Sequence, residues 1–207
     1  MTNVLIVEDS RMIQQNLSYQ LSQSAEYRVI GMIANAANAE IICLGKQVDL
    51  ILMDVCTADH ESGLKAAANI KRYSPQIRIL VMTSMPEYSF LEKAKQADCD
   101  GFWYKDDPKL SLIEACDLIM AGKHIWPERT PELMIGLARS NEFTDRELEV
   151  MRALSRGMHY GEIAQTLYIS ENTVKYHIKT ILQKTGFRST LQLVAEVVEK
   201  QLILPRY

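Results

Sequence analysis

Five short runs rich in Val, Ile and Leu recur in the first half of this chain: Asn3 to Val7, Tyr27 to Ala34, Val48 to Met53, Ile77 to Met82 and Asp100 to Tyr104. Each is too short for a helix and reads as a buried strand. Amphipathic stretches at helical spacing follow them in turn, at Met12 to Ser22, Ala36 to Leu44, Gly63 to Tyr73, Glu87 to Ala97 and Leu110 to Ala121. Such alternation predicts a parallel sheet covered by helices on both faces, with right-handed crossovers. Ligands in that architecture bind beyond the carboxyl ends of the strands, where Asp9, Asp54 and Lys105 fall.

The pattern then changes. Gly122 closes the last of these helices, and Pro127 and Pro131 interrupt the chain. A first domain over 1–122 and a partly structured connector over 123–141 are expected, with Pro131 to Arg139 forming a short helix. Over 142–207 the spacing is purely helical. Thr144-Asp145-Arg146-Glu147 has capping-box spacing and opens a helix carrying Leu148, Met151 and Leu154, which stops before Gly157. A second helix turns Ile163, Ala164 and Leu167 inward, Ser170 caps a third over Glu171 to Thr185, and Ser189 with Gln192 opens a fourth. Four helices in so short a segment make a small all-α bundle.

Composition narrows the class. The 207 residues suffice for two ordinary domains, and 47% hydrophobic with 24% charged residues is ordinary for a globular protein. No apolar stretch approaches the roughly 18 residues of a membrane span, and Val4 to Val7 is too short and too soon followed by Glu8-Asp9 for a signal peptide. A cytoplasmic protein without membrane contact is expected. Cys43, Cys56, Cys99 and Cys116 lie far apart with no CxxC pair, so neither a zinc cluster nor a disulfide framework is indicated. The net charge of −3 argues against a generic nucleic-acid binder, but about nine Lys and Arg face about eight Asp and Glu from Asn141 onward, which leaves the acidic excess in the first domain.

An aspartyl phosphate needs a carboxylate nucleophile, a divalent cation and a fixed donor for the phosphoryl oxygens. Asp54 fits the first role. Glu8 and Asp9, with Asp54 and a backbone carbonyl, suit magnesium, which prefers a few carboxylates plus water and phosphate oxygens. Lys105 supplies the cation, and the Thr83 hydroxyl can bond a phosphoryl oxygen. Acidic residues also end buried strands simply because loops are solvated, but the set taken together is specific. Glu8-Asp9, Asp54, Thr83-Ser84 and Lys105, at successive strand ends, resemble the receiver domain of two-component response regulators, a flavodoxin-like (βα)5 fold. The resemblance implies phosphotransfer from a sensor histidine kinase to Asp54, magnesium (Mg2+) as cofactor, the Cys56 carbonyl as a further metal ligand, and Phe102 as an aromatic switch residue. The loop after Asp54 departs from the family: Ala58 stands where Pro is usual, and Gly63 comes one residue late. A pseudo-receiver acting without phosphate therefore stays open as the alternative. An acid-phosphatase-like hydrolase should carry a second Asp two residues after the nucleophile, where this chain has Cys56.

On a wheel of the third bundle helix, Val174, Ile178 and Ile181 gather on one side. Asn172, Lys175, Tyr176, Lys179, Thr180 and Gln183 occupy the other, a face able to enter the major groove. Such a surface is often merely solvated, but here it sits in context. Thr144 to Val150, Gly157, Glu162-Ile163-Ala164, Leu167, Ile169-Ser170 and Thr173-Val174-Lys175-Tyr176-His177 resemble the LuxR-type helix-turn-helix. That resemblance implies groove contacts from Lys175, Tyr176 and Lys179, phosphate-backbone contacts from Thr173 and Lys184, and self-association through Leu191, Val194 and Val198. Departures are His159-Tyr160, where a small polar cap is usual, and Thr185, where Leu is usual. Together the two parts resemble response regulators of the NarL/FixJ type. A non-enzymatic transcription regulator is implied, a homodimer on double-stranded DNA, with RNA polymerase as a further partner.

Overall fold

The computed structural model describes residues 1–87, 89–105, 109–128 and 130–204. The chain forms two compact units, Met1–Ser84 with Ser89–Arg129 and Met85–Tyr88 with Thr130–Tyr207.

In the first unit, strands β1 (Thr2–Val7), β2 (Tyr27–Ile33), β3 (Leu50–Asp54), β4 (Arg78–Thr83) and β5 (Gly101–Tyr104) alternate with helices α1 (Arg11–Ser22), α2 (Ala37–Gly45), α3 (Gly63–Tyr73), α4 (Phe90–Gln96) and α5 (Leu112–Met120). The sheet is wholly parallel, in the order β2-β1-β3-β4-β5. Strands β1, β3, β4 and β5 are buried on both faces over most of their length, which is why they read as continuous apolar runs rather than alternating ones, whereas the edge strand β2 is mostly half-buried. Val4, Ile6, Leu50, Leu52, Leu80, Met82 and Trp103 pack with Leu17 and Leu21 of α1 and with Leu112, Cys116 and Ile119 of α5. The indole N–H of Trp103 donates to the Leu110 carbonyl at 2.9 Å, so this buried ring keeps its polar atom satisfied. The fourth helix starts at Phe90, three residues later than its pattern predicts.

Asp100, just before β5, escaped the sequence reading. Its buried carboxylate accepts from Lys71 at 2.5 Å, Arg78 at 2.6 Å and the Ile79 amide at 2.8 Å. Burial alone would raise its pKa, but these three donors hold it below the ordinary value. The cluster ties α3, β4 and β5 together at the amino end of the sheet, opposite the candidate site.

The second unit contains α6 (Asp145–Ser155), α7 (Tyr160–Thr166), α8 (Glu171–Thr185) and α9 (Thr190–Glu199) around Leu148, Met151, Ile163, Val174, Ile178, Ile181, Leu193 and Val197. The capping box at α6 forms as its spacing predicts: Thr144 accepts from the Glu147 amide, and Glu147 accepts from the Thr144 amide at 2.8 Å. At α9 only half of the expected pair forms. Ser189 caps Gln192, but the Gln192 side chain reaches the Arg188 amide instead.

The helix expected over Pro131 to Arg139 is absent. In its place β6 (Met134–Ile135) and β7 (Ala138–Arg139) make a hairpin closed by Gly136 and Leu137. Gly136 has φ +58, and a Cβ there would lie 2.2 Å from the Thr185 carbonyl oxygen, so only glycine fits. The Leu137 amide donates to that same carbonyl at 2.9 Å, while Ile135 and Ala138 are buried in the bundle core. Thr185, unusual for its family position, is buried with its hydroxyl bonded to the Ile181 carbonyl at 2.9 Å.

Glu147 also receives the Lys184 ammonium at 2.7 Å, joining the start of α6 to the end of α8. Burial would raise the Glu147 pKa, but Lys184 and the Thr144 amide outweigh it and hold the carboxyl below its usual range. A depressed pKa contributes stability above the unfolded value of about 4.3, lost as pH falls through the lower folded value. Lys184→Met should therefore cost about 1–3 kcal/mol near pH 7, and markedly less near pH 3. Urea unfolding of both proteins at the two pH values checks this; an equal loss at both would remove the pair from the account.

Candidate functional site

The carboxyl edge of the sheet gathers the first candidate site. β1 and β3 are neighbours, and the helices that follow strands on the two sides of this point leave in opposite directions, opening a crevice. Glu8 follows β1, Asp54 ends β3, Thr83 ends β4 one residue beyond the register partner of Asp54, and Lys105 follows β5. The Lys105 amide donates to the Thr83 carbonyl at 3.0 Å, which fixes the root of the lysine. Its ammonium donates to Asp54 Oδ1 at 2.7 Å and to Glu8 Oε2 at 2.5 Å. Asp54 Oδ2 accepts the Cys56 amide at 3.2 Å, and Glu8 Oε1 accepts the Ser10 amide at 3.0 Å. Glu8, Asp54 and Thr83 are buried, whereas Asp9 is exposed.

Burial dominates the electrostatics of Asp54. Loss of hydration raises its pKa, Lys105 opposes this, and Glu8 and Asp9 reinforce it, leaving a value of about 6. Burial would lower the Lys105 pKa, but Asp54 and Glu8 outweigh it and raise it. Among the described residues, the Lys105 ammonium bonds two carboxylates, Asp54 and Glu8, and Asp9 adds a third negative charge beside them. Glu8, Asp9 and Asp54 each place an oxygen within 4.8 Å of the others. All are hard oxygen donors, and the excess negative charge calls for a cation, so the group fits magnesium.

The loop after Asp54 is rebuilt in a definite way. Asp59 and His60 both take φ 60, accommodating the extra residue. Thr57 is buried, accepts from the Ala36 amide at 3.0 Å and donates to the Glu61 carbonyl at 2.9 Å. The Ala58 amide donates to Ala34, and Asn35 donates to Asp59 at 2.9 Å. Cys56 and Ser62 then bridge, bringing Gly63 so close that a Cβ on it would lie 1.9 Å from the Asp54 carbonyl oxygen. Gly63, one place late in sequence, still packs directly against the strand end. Thr57 was missed because its role is a hydrogen bond to a distant backbone, which no local spacing reveals.

Phe102 lies three residues before Lys105, buried, edge-on to Tyr104 with ring centroids 5.2 Å apart.

The second candidate site is on α8. Ser170 caps the helix, accepting the Thr173 amide at 3.1 Å and sharing a hydroxyl hydrogen bond with Thr173 at 2.8 Å. Val174, Ile178 and Ile181 are buried, whereas Lys175, Tyr176 and Lys179 are exposed on the other side, with Tyr176 at 66%. Lys184 does not share that surface: besides Glu147, its ammonium donates to the Glu142 carbonyl at 2.8 Å. Leu191 is exposed on α9, but Val194 and Val198 are only partly so, and Val198 packs on the core.

A family model for the response regulator receiver domain matches residues 4–117, more than half of the chain, and one for bacterial regulatory proteins of the luxR family matches 141–197. The chain belongs to the LuxR-family response regulators. As a response regulator it is 30% identical over 201 residues to the transcriptional regulatory protein DesR of Bacillus subtilis, covering 97% of this chain and 98% of that one. It is 29% identical over 205 residues to the response regulator protein VraR of Staphylococcus aureus, with the same coverage. RcsB of Salmonella enterica serovar Typhimurium, solved on promoter rprA with the phosphomimetic BeF3−, shares the fold with a TM-score of 0.64 at 22% identity, over 95% of this chain and 98% of that one. The regulator's two units thus follow a two-part layout found in full-length relatives.

Removing Lys105 leaves two buried carboxylates facing each other, so Lys105→Met should lose about 2–4 kcal/mol at neutral pH. Asp54→Asn should instead gain, by no more than about 3 kcal/mol at pH 8. A folded pKa raised to about 6, against an unfolded value of about 3.9, means that the charged form is disfavoured, so the gain should fall to about half near pH 5 and vanish near pH 3. Thermal melts without divalent metal check both; stabilisation by Lys105→Met would overturn the electrostatic account.

Proposed function

We propose that Asp54 accepts a phosphoryl group from a sensor histidine kinase and that its occupancy controls transcription through the α8 surface. The observation that carries this reading is the single Lys105 ammonium held 2.7 Å from Asp54 and 2.5 Å from Glu8, beside the three-carboxylate cluster. An Asp54 oxygen attacks the phosphorus of the phosphohistidine; the new O–P bond forms as the P–N bond breaks, and the imidazole nitrogen keeps the electron pair. Lys105 is already seated at the carboxylate and needs only to shift its bonds to a phosphoryl oxygen, so little reorganisation opposes the step. Thr83 supplies a hydroxyl at the same edge. Glu8, Asp9 and Asp54, with the Cys56 carbonyl, are the residues that would hold magnesium. When bound, the cation supplies charge neutralisation for the incoming phosphoryl oxygens. Phe102 is the residue whose packing follows the change.

For the output, Lys175, Tyr176 and Lys179 make the groove contacts and Thr173 a backbone contact, in a dimer spanning half-sites about one helical turn apart. Lys184 is better assigned to holding the bundle together, since Glu147 and Glu142 already occupy it. The pseudo-receiver reading loses its main support in the rebuilt loop, because the rebuilding leaves Gly63 packed on Asp54 and the Lys105 bonds intact.

Two measurements test this reading. Incubation with acetyl phosphate and magnesium should add one phosphoryl mass to the wild type and none to Asp54→Ala, and should tighten DNA binding only in the wild type. Equal DNA affinity in all four conditions would leave the pseudo-receiver reading. Lys179→Ala should weaken operator binding by about 1–3 kcal/mol, with thermal stability unchanged; unaltered affinity would take Lys179 off the contact surface.

A further inference from the structure

The β5 edge of the sheet is closed by the chain itself. After α5, the segment His124-Ile125-Trp126 turns back and lies parallel to β5, with Ile125 bridged to Gly101. The Phe102 amide donates to the Ile125 carbonyl at 2.8 Å, and the Ile125 amide donates to the Asp100 carbonyl at 3.2 Å. Ile125 packs against the core that contains Trp103 and Ile119. Trp126 lies beneath the Lys95 ammonium of α4, 5.9 Å from its ring centroid. The contact is close enough to constrain β5: a Cβ on Gly101 would sit 3.2 Å from the Ile125 carbonyl oxygen and 3.3 Å from its Cβ.

This strap is a minimal element. Among the described residues, two backbone hydrogen bonds, one half-buried isoleucine and one cation–π contact hold it, whereas the other β5 edge is paired through four residues of β4. Such lightly held segments open locally long before the domain unfolds. Its placement is particular. One of these hydrogen bonds comes from the backbone of Phe102, and the aromatic contact comes from Lys95 in the last turn of α4, so it touches both β5, which leads into Lys105, and the helix that follows β4. It also leads directly into the residues that connect the two units.

We propose that this strap transmits the state of Asp54: held on β5 in the unphosphorylated protein, it is released when Phe102 and α4 shift on phosphorylation. The inference rests on the reading of Asp54 as phosphoacceptor and of Phe102 as its switch. A shift of the Phe102 backbone weakens the hydrogen bond to Ile125, and a shift of α4 withdraws Lys95 from Trp126. Loss of either contact favours loss of the other, since they hold adjacent residues of one strand.

Hydrogen exchange on the full chain tests the proposal, with intact mass recorded on the same samples after acetyl phosphate and magnesium. Exchange at the Phe102 and Ile125 amides should quicken by about tenfold or more in the phosphorylated protein, while β1 and β3 stay protected. Ile125→Pro removes the donor to Asp100 without altering a sheet strand, and should move DNA affinity of the unphosphorylated protein about fivefold toward the phosphorylated value. Trp126→Ala should act in the same direction, more weakly, and guards against misfolding of the proline variant. A phosphoryl mass gain with unchanged exchange at these amides overturns the strap and leaves the reading of Asp54 standing. No mass gain defeats that reading and the strap with it. If both variants exchange faster yet bind DNA as the wild type does, the strap only seals the sheet edge and the proposal fails.

Discussion

The position of Lys105 between Asp54 and Glu8 governs the receiver unit. Two carboxylates buried at the ends of β1 and β3 would repel each other and lack hydration, a cost of several kcal/mol per ion if left unpaired. A single ammonium from the end of β5 offsets much of that, which requires β5 to stop where it does and Thr83 to hold the Lys105 amide. The compensation is incomplete, as the raised pKa of Asp54 records. A site with a surplus of buried negative charge is the condition under which a divalent cation, and then a phosphoryl group drawn to cation and lysine, binds with net gain. The same imbalance that weakens the fold locally makes the site responsive.

In the proposed function, a response at Asp54 would have to reach DNA through contacts that differ between two states, and the difference in free energy limits how far the equilibrium moves. The inner strands β1 and β3 are poor candidates for the moving part, because pairing on both edges and burial hold them rigid. The strap over Ile125 and Trp126 is a better one. Two hydrogen bonds and a cation–π contact, at about 0.5–1.5 kcal/mol each, sum to about 1.5–4.5 kcal/mol, which overlaps the range of about 1–3 kcal/mol in which coupling free energies fall. An element held much more strongly could not be released by one phosphoryl group, and one held much less would carry no signal.

The sequence was most informative where chemistry and periodicity coincide. Apolar runs located all five strands because both sheet faces are covered, and their ends placed Glu8, Asp54, Thr83 and Lys105 at one edge before any contact was known. The capping spacing of Thr144 and Glu147 located α6, and the wheel of α8 separated its buried from its exposed face. Where the pattern was illegible, the deciding interaction was distant along the chain. Asp100 read only as the first residue of a strand run, because the partners that give it a role, Lys71 and Arg78, lie more than twenty positions away. Pro131 to Arg139 read as a helix because its apolar spacing fits one, whereas Gly136 is committed to a turn by the Thr185 carbonyl. Lys184 read as a DNA contact from family position alone, and only the fold turns it toward Glu147.

The loop after Asp54 shows what the site does and does not require. A usual proline is missing and an extra residue is present, yet the strand end is built as the site needs it. The reason lies in how the loop is held. Its anchor points are backbone groups, the Ala36 amide, the Ala34 carbonyl and the Glu61 carbonyl, and these depend little on which side chains stand between them. The extra residue is absorbed by two left-handed positions at Asp59 and His60, on the outer side of the loop. Gly63 is fixed in residue type by contact with Asp54 itself, because no side chain fits beneath that carbonyl. Variation is therefore tolerated between Thr57 and Ser62 and excluded at Gly63, so the departure from the family pattern reshapes the loop while the Asp54 carboxylate and its bond to Lys105 keep their places.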